Sequence, residues 1–230
     1  EGDIIVNGVV EGATLVSGGN IVLKRGMQGM DRGMLQAEGN ITAKFLENCK
    51  VRCKGMLKAD AILHSDVECQ ENVDILGKKG LINGGSLSTY ADVHATTLGS
   101  TMGASTKIKI ISDKELIIRA NEIKEEVENK EETIRKIDEV VNRVKGQLAS
   151  NQEVLPEQMN YLKQATVNKP LLVKQIRELR EEREKLLVRI EKNKHSCIRV
   201  EGAVYSGIDI TVKDVSKIQH EQVSHCRFVR

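Results

Sequence analysis

Residues 41–75 read "ITAKFLENCKVRCKGMLKADAILHSDVECQENVDI". Ile41, Leu57 and Val73 recur at a spacing of 16 residues (57 − 41, 73 − 57), as do Ala43, Ala59 and Ile75 with one β-branched change of type. Val51 falls on Val67 and Cys53 on Cys69 at the same offset. Inside each repeat apolar and polar residues alternate with period 2, the pattern of strands that bury one face. Short strands repeated every 16 to 20 residues leave no room for crossover helices, so each coil stacks directly on the one before it as a parallel solenoid.

The register extends outward from this stretch. Gly2-Asp3-Ile4, Gly19-Asn20-Ile21 and Gly39-Asn40-Ile41 open similar segments upstream. Glycines at corners supply positive φ at little steric cost, and the handedness of parallel crossovers predicts a right-handed wind. Composition agrees: 19 Gly, 2 Pro, 2 Phe, 3 Tyr and no Trp leave a core of Ile, Val, Leu, Ala and Cys, which suits many thin layers better than one core with aromatic anchors.

The period changes near Ser112. Leu116, Ala120, Ile123, Val127, Lys130, Ile134, Ile137, Val141, Val144 and Leu148 follow four-three spacing, a heptad seam broken only by Lys130. A second seam runs Leu172, Ile176, Leu179, Arg183, Leu186, Ile190, with a tip expected between Ser150 and Pro156 and a break or kink at Pro170. The two seams predict an antiparallel helical hairpin whose outer face is solvated by Glu131 with Arg135, Glu132 with Lys136 and Glu181 with Lys185. After it, "CIRVEGAVYSGIDITVKDV" (197–215) returns to glycine-punctuated alternation. The fold class is therefore mainly β with a helical insertion: a right-handed parallel β-helix over 1–111, an antiparallel coiled-coil hairpin over 112–197, and final β-helix coils with a cap, to which "CRFVR" contributes, over 198–230.

Composition narrows function. Thirty-five Lys and Arg against 33 Asp and Glu produce no field to draw nucleic acid or anionic lipid, and scarce aromatics remove stacking platforms for single strands. No apolar run of 18 residues predicts a membrane span, and "EGDIIVNGVV" lacks the basic and apolar regions of a signal peptide. The first residue is not Met, as in a fragment of a longer protein. Five cysteines without CxxC spacing fit a reducing compartment, the cytoplasm.

Several motifs resemble sites. "GKKGLINGG" (77–85) looks like a phosphate loop, but "SLSTYADVHATT" follows it with a β pattern and no helix, so its glycines are expected at two corners, Lys78 and Lys79 outside, and Leu81 or Ile82 inside. "RGMQGMDRGM" (25–34) is expected to bulge from a corner and is the best partner-binding loop within the β-helix. Tyr90, Asp92 and His94 are expected to alternate outward on one strand. Cys53 and Cys69, with Cys49 nearby, are read as small stacked core residues, and the spacing of His195, Cys197, His225 and Cys226 matches no standard zinc pattern. Lys130 and Arg183 are read as register-setting residues that snorkel. No residue is assigned as catalytic, cofactor-binding or metal-binding.

The segments "GNIVLKRGMQGMDRGMLQAEGNITAKFLENCKV" (19–51) and "ILGKKGLINGGSLSTYADVHATTLGSTMGASTKIKI" (75–110), followed by a charged coiled coil and "VEGAVYSGIDITV" (200–212), resemble the flagellar assembly protein A (FapA) family over essentially the whole chain. The β-helix is similar in kind to bactofilins and to the C-terminal domain of the division inhibitor MinC. The resemblance implies a cytoplasmic bacterial protein with a further N-terminal domain, acting as a non-enzymatic scaffold or polar-localisation factor linked to flagellar assembly, and it carries over no catalytic residues. Protein partners or self-association, through the β-helix ends and the hairpin, are expected, with no nucleic acid and no cofactor. The alternatives are a β-helix enzyme acting on polysaccharide or as an acyltransferase, and a polymer-forming cytoskeletal element.

Overall fold

The computed structural model describes residues 2–150 and 155–230. They divide into two compact units, one of Glu1–Asp113 with Lys192–Arg230 and one of Lys114–Glu191.

In the first unit the chain winds through β1 (Ile4–Val6), β2 (Val9–Glu11), β3 (Thr14–Ser17), β4 (Ile21–Ala37), β5 (Ile41–Cys53), β6 (Leu57–Lys58), β7 (Ala61–Cys69), β8 (Val73–Ile75), β9 (Leu81–Thr89), β10 (Val93–Ala95), β11 (Thr97–Leu98) and β12 (Thr106–Ile110). It departs into α1 (Lys114–Ala149) and α2 (Pro156–Asn193), then resumes with β13 (Ile198–Val204), β14 (Ile208–Val212), β15 (Val215–Gln219) and β16 (Val223–Phe228). The helical pair is thus an insertion between β12 and β13.

Every pairing up to β14 is parallel and in register. Ile4 stacks on Ile21, then Ile41, Leu57, Val73, Val93 and Ile198. A second inward row carries Val10, Met27, Leu46, Ile62, Ile82 and, on the next coil, Leu98 and Val204. A third carries Leu15, Leu35, Val51, Val67, Leu87, Ile108 and Ile210. Three rows mean three sheet faces around one apolar core, in which Ile21, Leu35, Ile41, Leu46, Val51, Leu57 and Val73 have no exposure at all. The 16-residue register is therefore what the chain uses to stack.

One corner explains the repeated Gly-Asn. Asp3 Oδ1 accepts the Asn20 N–H (2.6 Å), Asn20 Oδ1 accepts the Asn40 N–H (2.8 Å) and Asn40 Oδ1 accepts the Met56 N–H (2.7 Å). The residue before each recipient is Gly19, Gly39 or Gly55, and a Cβ there would lie 2.3, 2.5 and 2.3 Å from the oxygen of Asp3, Asn20 and Asn40. Glycine is required by space at these positions: the side chain from the coil below occupies the room a Cβ would need.

At another corner the chain takes left-handed φ at Gly12, Asn48, His64 and Gly84. The expected loop 25–34 is shorter than its sequence suggests, since β4 runs unbroken through it and only the register shift between Gln28 and Gly33 accommodates a bulge, with Met30 and Asp31 at positive φ.

The last coil is followed by a reversal rather than a further coil. β15 folds back antiparallel on β14, and β16, which contains the first residues of "CRFVR", folds back antiparallel on β13. These strands cap the stack.

The second unit is the helical pair. Ala120, Ile123, Val127 and Val144 of the first seam and Ile176 of the second are buried, and Ile134, Leu179 and Leu186 pack against Ile123, Val127 and Ile176. The expected break at Pro170 is not found, because α2 continues through it. Residues 151–154 of the expected tip lie outside the described residues. Both polar interruptions of the seams have partners on the opposite helix: Lys130 Nζ donates to Gln175 Oε1 (3.1 Å) and Arg183 Nε to the Ala120 carbonyl (3.1 Å). Of the expected surface ion pairs, Glu132 with Lys136 forms at 3.7 Å. Glu131 instead pairs with Arg180 across the seam, and Glu181 with Arg177, because interhelical partners and the opposite i±4 neighbour compete for the same carboxylates.

Candidate functional site

The backbone of "GKKGLINGG" is already committed. Gly84 N–H donates to Thr106 Oγ1 (2.8 Å), Gly85 N–H to the Ser105 carbonyl (3.0 Å) and Leu81 N–H to the Asp60 carbonyl (3.3 Å). A phosphate cradle needs amides that point at empty space, and these hold neighbouring coils. Gly84 and Gly85 turn at φ of 76° and 85° inside β9 rather than ending it, Ile82 faces the core, and Lys78 and Lys79 are exposed.

Tyr90, Asp92 and His94 do not share a strand. Only His94 lies in β10, and Asp92 sits at the corner before it, where its Oδ1 accepts the Cys197 N–H (2.8 Å). His94 Nδ1 lies 3.2 Å from Asp74 Oδ1 on the coil below. The pair is a cross-strand contact on the outer face, without a third group that would make it a catalytic relay. Cys197 is buried, and Cys226 lies opposite Val200. Among the described residues no three His, Cys, Asp or Glu side chains gather to hold a metal, and no helix is long and apolar enough to cross a membrane.

Register does bring two cysteines together. Cys53 and Cys69 are Cα partners at the ends of β5 and β7, and Cys53 donates its S–H to Cys69 Sγ at 3.2 Å. Cys69 in turn lies 2.9 Å from the Gly55 carbonyl. Cys49 is set apart, its sulfur facing Ser65 Oγ at 3.6 Å. The Cys53 thiol is pushed up by its bond to Cys69 and by burial, whereas Cys69 is moved down because it accepts that bond, with the Glu71 and Leu57 backbone assisting against its own burial. Both cysteines line a surface cavity of about 400 Å³ together with Arg52, Lys54, Glu68 and Tyr90.

The helical pair presents the larger unsatisfied surface. Two helices bury one stripe each, and Ile117, Ile118, Leu155, Val167, Leu171, Val173 and Val188 remain between 44% and 72% exposed. Beside Val173 a groove of about 530 Å³ is lined by Ile137, Val141, Ala165 and Pro170, with Asp138, Lys145 and Lys169 at its rim. Heptad counting marks the seam and passes over these residues, since they fall between its positions. In the other unit β1, β2 and β3 each pair only with β4 among the described residues, which leaves their second edge unpaired, and Ile5, Val9 and Val16 are exposed there.

Neither the curated proteins nor the solved structures contain a match to this chain. One family model does match, described as the Flagellar Assembly Protein A beta solenoid domain, and it spans residues 1–230. That description names a structural domain and no reaction, in agreement with a parallel solenoid whose functional features are surfaces. From its first residue to its last, the chain belongs to the FapA family.

Proposed function

We propose that this chain is a non-enzymatic scaffold, cytoplasmic and recruited to a cell pole, that serves flagellar assembly by binding protein partners or a second copy of itself. The observation that carries this reading is the helical pair, where Val167, Leu171 and Val173 stay exposed beside an apolar groove although two long helices are available to cover them. A contiguous apolar surface rimmed by charge is the usual form of a protein-binding site. The unpaired edge of β1–β3 is the second surface, since open backbone groups on an edge strand favour strand addition.

The test compares the intact chain with one in which residues 112–197 are replaced by a short linker, and with Val167→Asp/Leu171→Asp. Asn193 Nδ2 lies 3.5 Å from Asp113 Oδ1, so a short linker can rejoin the solenoid. Affinity capture from flagellated cells and sedimentation should show a specific partner or dimer with the intact chain alone, the charged variant retaining its helical circular dichroism. Equal capture and equal mass for all three would remove the basis of the proposal.

A further inference from the structure

We propose that Cys53 and Cys69 form an oxidisable dithiol that peroxide converts to an intramolecular disulfide, joining the ends of β5 and β7 on neighbouring coils. Their strands are adjacent and in register, and a parallel-strand spacing of about 4.8 Å falls inside the Cα separation that a disulfide spans, about 4.4–6.8 Å. Their sulfurs already approach to 3.2 Å. The inward row they occupy otherwise reads Ser17, Ala37, Thr89, Ile110 and Val212, so no other neighbour in that row can cross-link. Cys49 is held by Ser65 and Cys226 stands across from Val200, which leaves this one pair poised.

Access and chemistry are both supplied. The cavity of about 400 Å³ that both cysteines line admits a reactant little larger than water. The S–H of Cys53 points at Cys69, which makes Cys69 the sulfur that carries the anionic character and reacts first. Cys69 releases its proton to water, and its Sγ attacks one peroxide oxygen. The O–O bond breaks, hydroxide leaves and takes up that proton, and Cys69 becomes a sulfenic acid. Cys53 Sγ then attacks the Cys69 sulfur as its own proton passes to the departing hydroxyl. The S–O bond breaks, the S–S bond forms, and a second water leaves. The two thiols are oxidised by two electrons in all and one peroxide is reduced to two waters.

The experiment treats the full native chain with hydrogen peroxide, quenches with an alkylating agent under denaturing conditions, and maps peptides by mass spectrometry. The expected result is a fall from five free thiols to three (5 − 2), a mass loss of two hydrogens, and a single linkage between the peptides carrying Cys53 and Cys69, reversed by dithiothreitol. Cys53→Ser and Cys69→Ser should each abolish the linkage, the remaining partner accumulating as sulfinic acid. The proposal is overturned if both cysteines stay alkylatable while Cys226 is oxidised, if each reaches sulfinic acid unlinked, or if the linkage uses Cys49. Mapping of the unsubstituted chain decides the matter alone should either variant fail to fold.

Discussion

Asn40 bridges two coils, its side-chain oxygen accepting the Met56 N–H at 2.7 Å while its own N–H donates to Asn20 Oδ1 at 2.8 Å. The corner repeats this contact wherever an Asn or Asp is present: Asn72 Oδ1 accepts the Asp92 N–H at 3.4 Å, and Asp92 Oδ1 the Cys197 N–H at 2.8 Å. Met56 is the member that cannot pass the contact on. Asn40→Ala should lower stability by about 1 kcal/mol, limited by water access at this exposed corner, and Asn40→Asp should cost less, since Asp3 and Asp92 play the same part. Met56→Asn should raise stability by about 0.5–1 kcal/mol by supplying the missing acceptor. Urea midpoints of the three variants check the order.

The apolar rows were legible because each coil contributes one Ile, Leu or Val to the same position, so Ile41, Leu57 and Val73 announce their contact by spacing alone. The corners were not. Thr89, Ala91, Val93 and Ala95 are all buried, so alternation runs straight through the bend at Asp92, and period 2 made one strand of Tyr90, Asp92 and His94. Gly-Asn likewise read as the start of a strand, since nothing in one coil reveals which backbone the Asn side chain of the previous coil will reach. The exposed strip on the helices has a similar origin: a heptad names what faces the partner helix and is silent about Val167 and Leu171, which face away from it.

Gly85 and Gly103 separate conformation from space. Both have left-handed φ, 85° and 70°, but a Cβ on Gly85 would fall 2.3 Å from the Ser65 carbonyl oxygen and 2.7 Å from its nitrogen, whereas nothing lies within 4 Å at Gly103. Gly103→Ala should cost only the φ strain, about 1 kcal/mol. Gly85→Ala must also displace the backbone of the coil below and should cost about 3 kcal/mol or prevent folding. Thermal denaturation of the two variants should differ accordingly, and equal losses would mean that the coils yield more readily than their packing indicates.

Pro170 is a continuing weakness in α2, because it has no N–H for the Thr166 carbonyl and its ring crowds that turn. Pro170→Ala should stabilise the helical pair by about 1–3 kcal/mol, read as a higher midpoint of the helical signal at 222 nm. Since Pro170 also lines the groove beside Val173, the same variant should weaken binding of any partner that reads the groove's shape.

Arg183 tests whether the seam's polar interruptions set register or supply strength. Its Nε bonds to the Ala120 carbonyl while the side chain is half-buried. Arg183→Ala removes both the bond and the packed stem and should cost about 1 kcal/mol. Arg183→Leu restores an apolar seam position and should melt at or above the parent, with broadened hydrogen-exchange protection along α1 as alternative registers become accessible. A drop for Arg183→Leu equal to that for Arg183→Ala would assign the residue to stability.

Asp113 and Lys213 close the point where the chain leaves the solenoid and comes back. Their N···O distance is 3.8 Å with the side chains 7% and 12% exposed, Asn193 Nδ2 approaches the other carboxylate oxygen at 3.5 Å, and Lys213 Nζ also donates to the Lys194 carbonyl at 3.0 Å. Asp113 is the last residue before α1, and Asn193 is the last residue of α2. A carboxylate that gathers both chain crossings with a lysine from the turn after β14 holds the final coil in place. Asp113→Ala should cost about 3 kcal/mol, because it strands the Lys213 ammonium in a buried setting. Lys213 also has a φ of 60°, so its replacement by a branched residue would add backbone strain and is avoided. The double variant Asp113→Ala/Lys213→Asn removes the buried charge and keeps a residue that tolerates the left-handed conformation. It should recover most of the loss, and additive losses in the double-mutant cycle would show that the two side chains act independently.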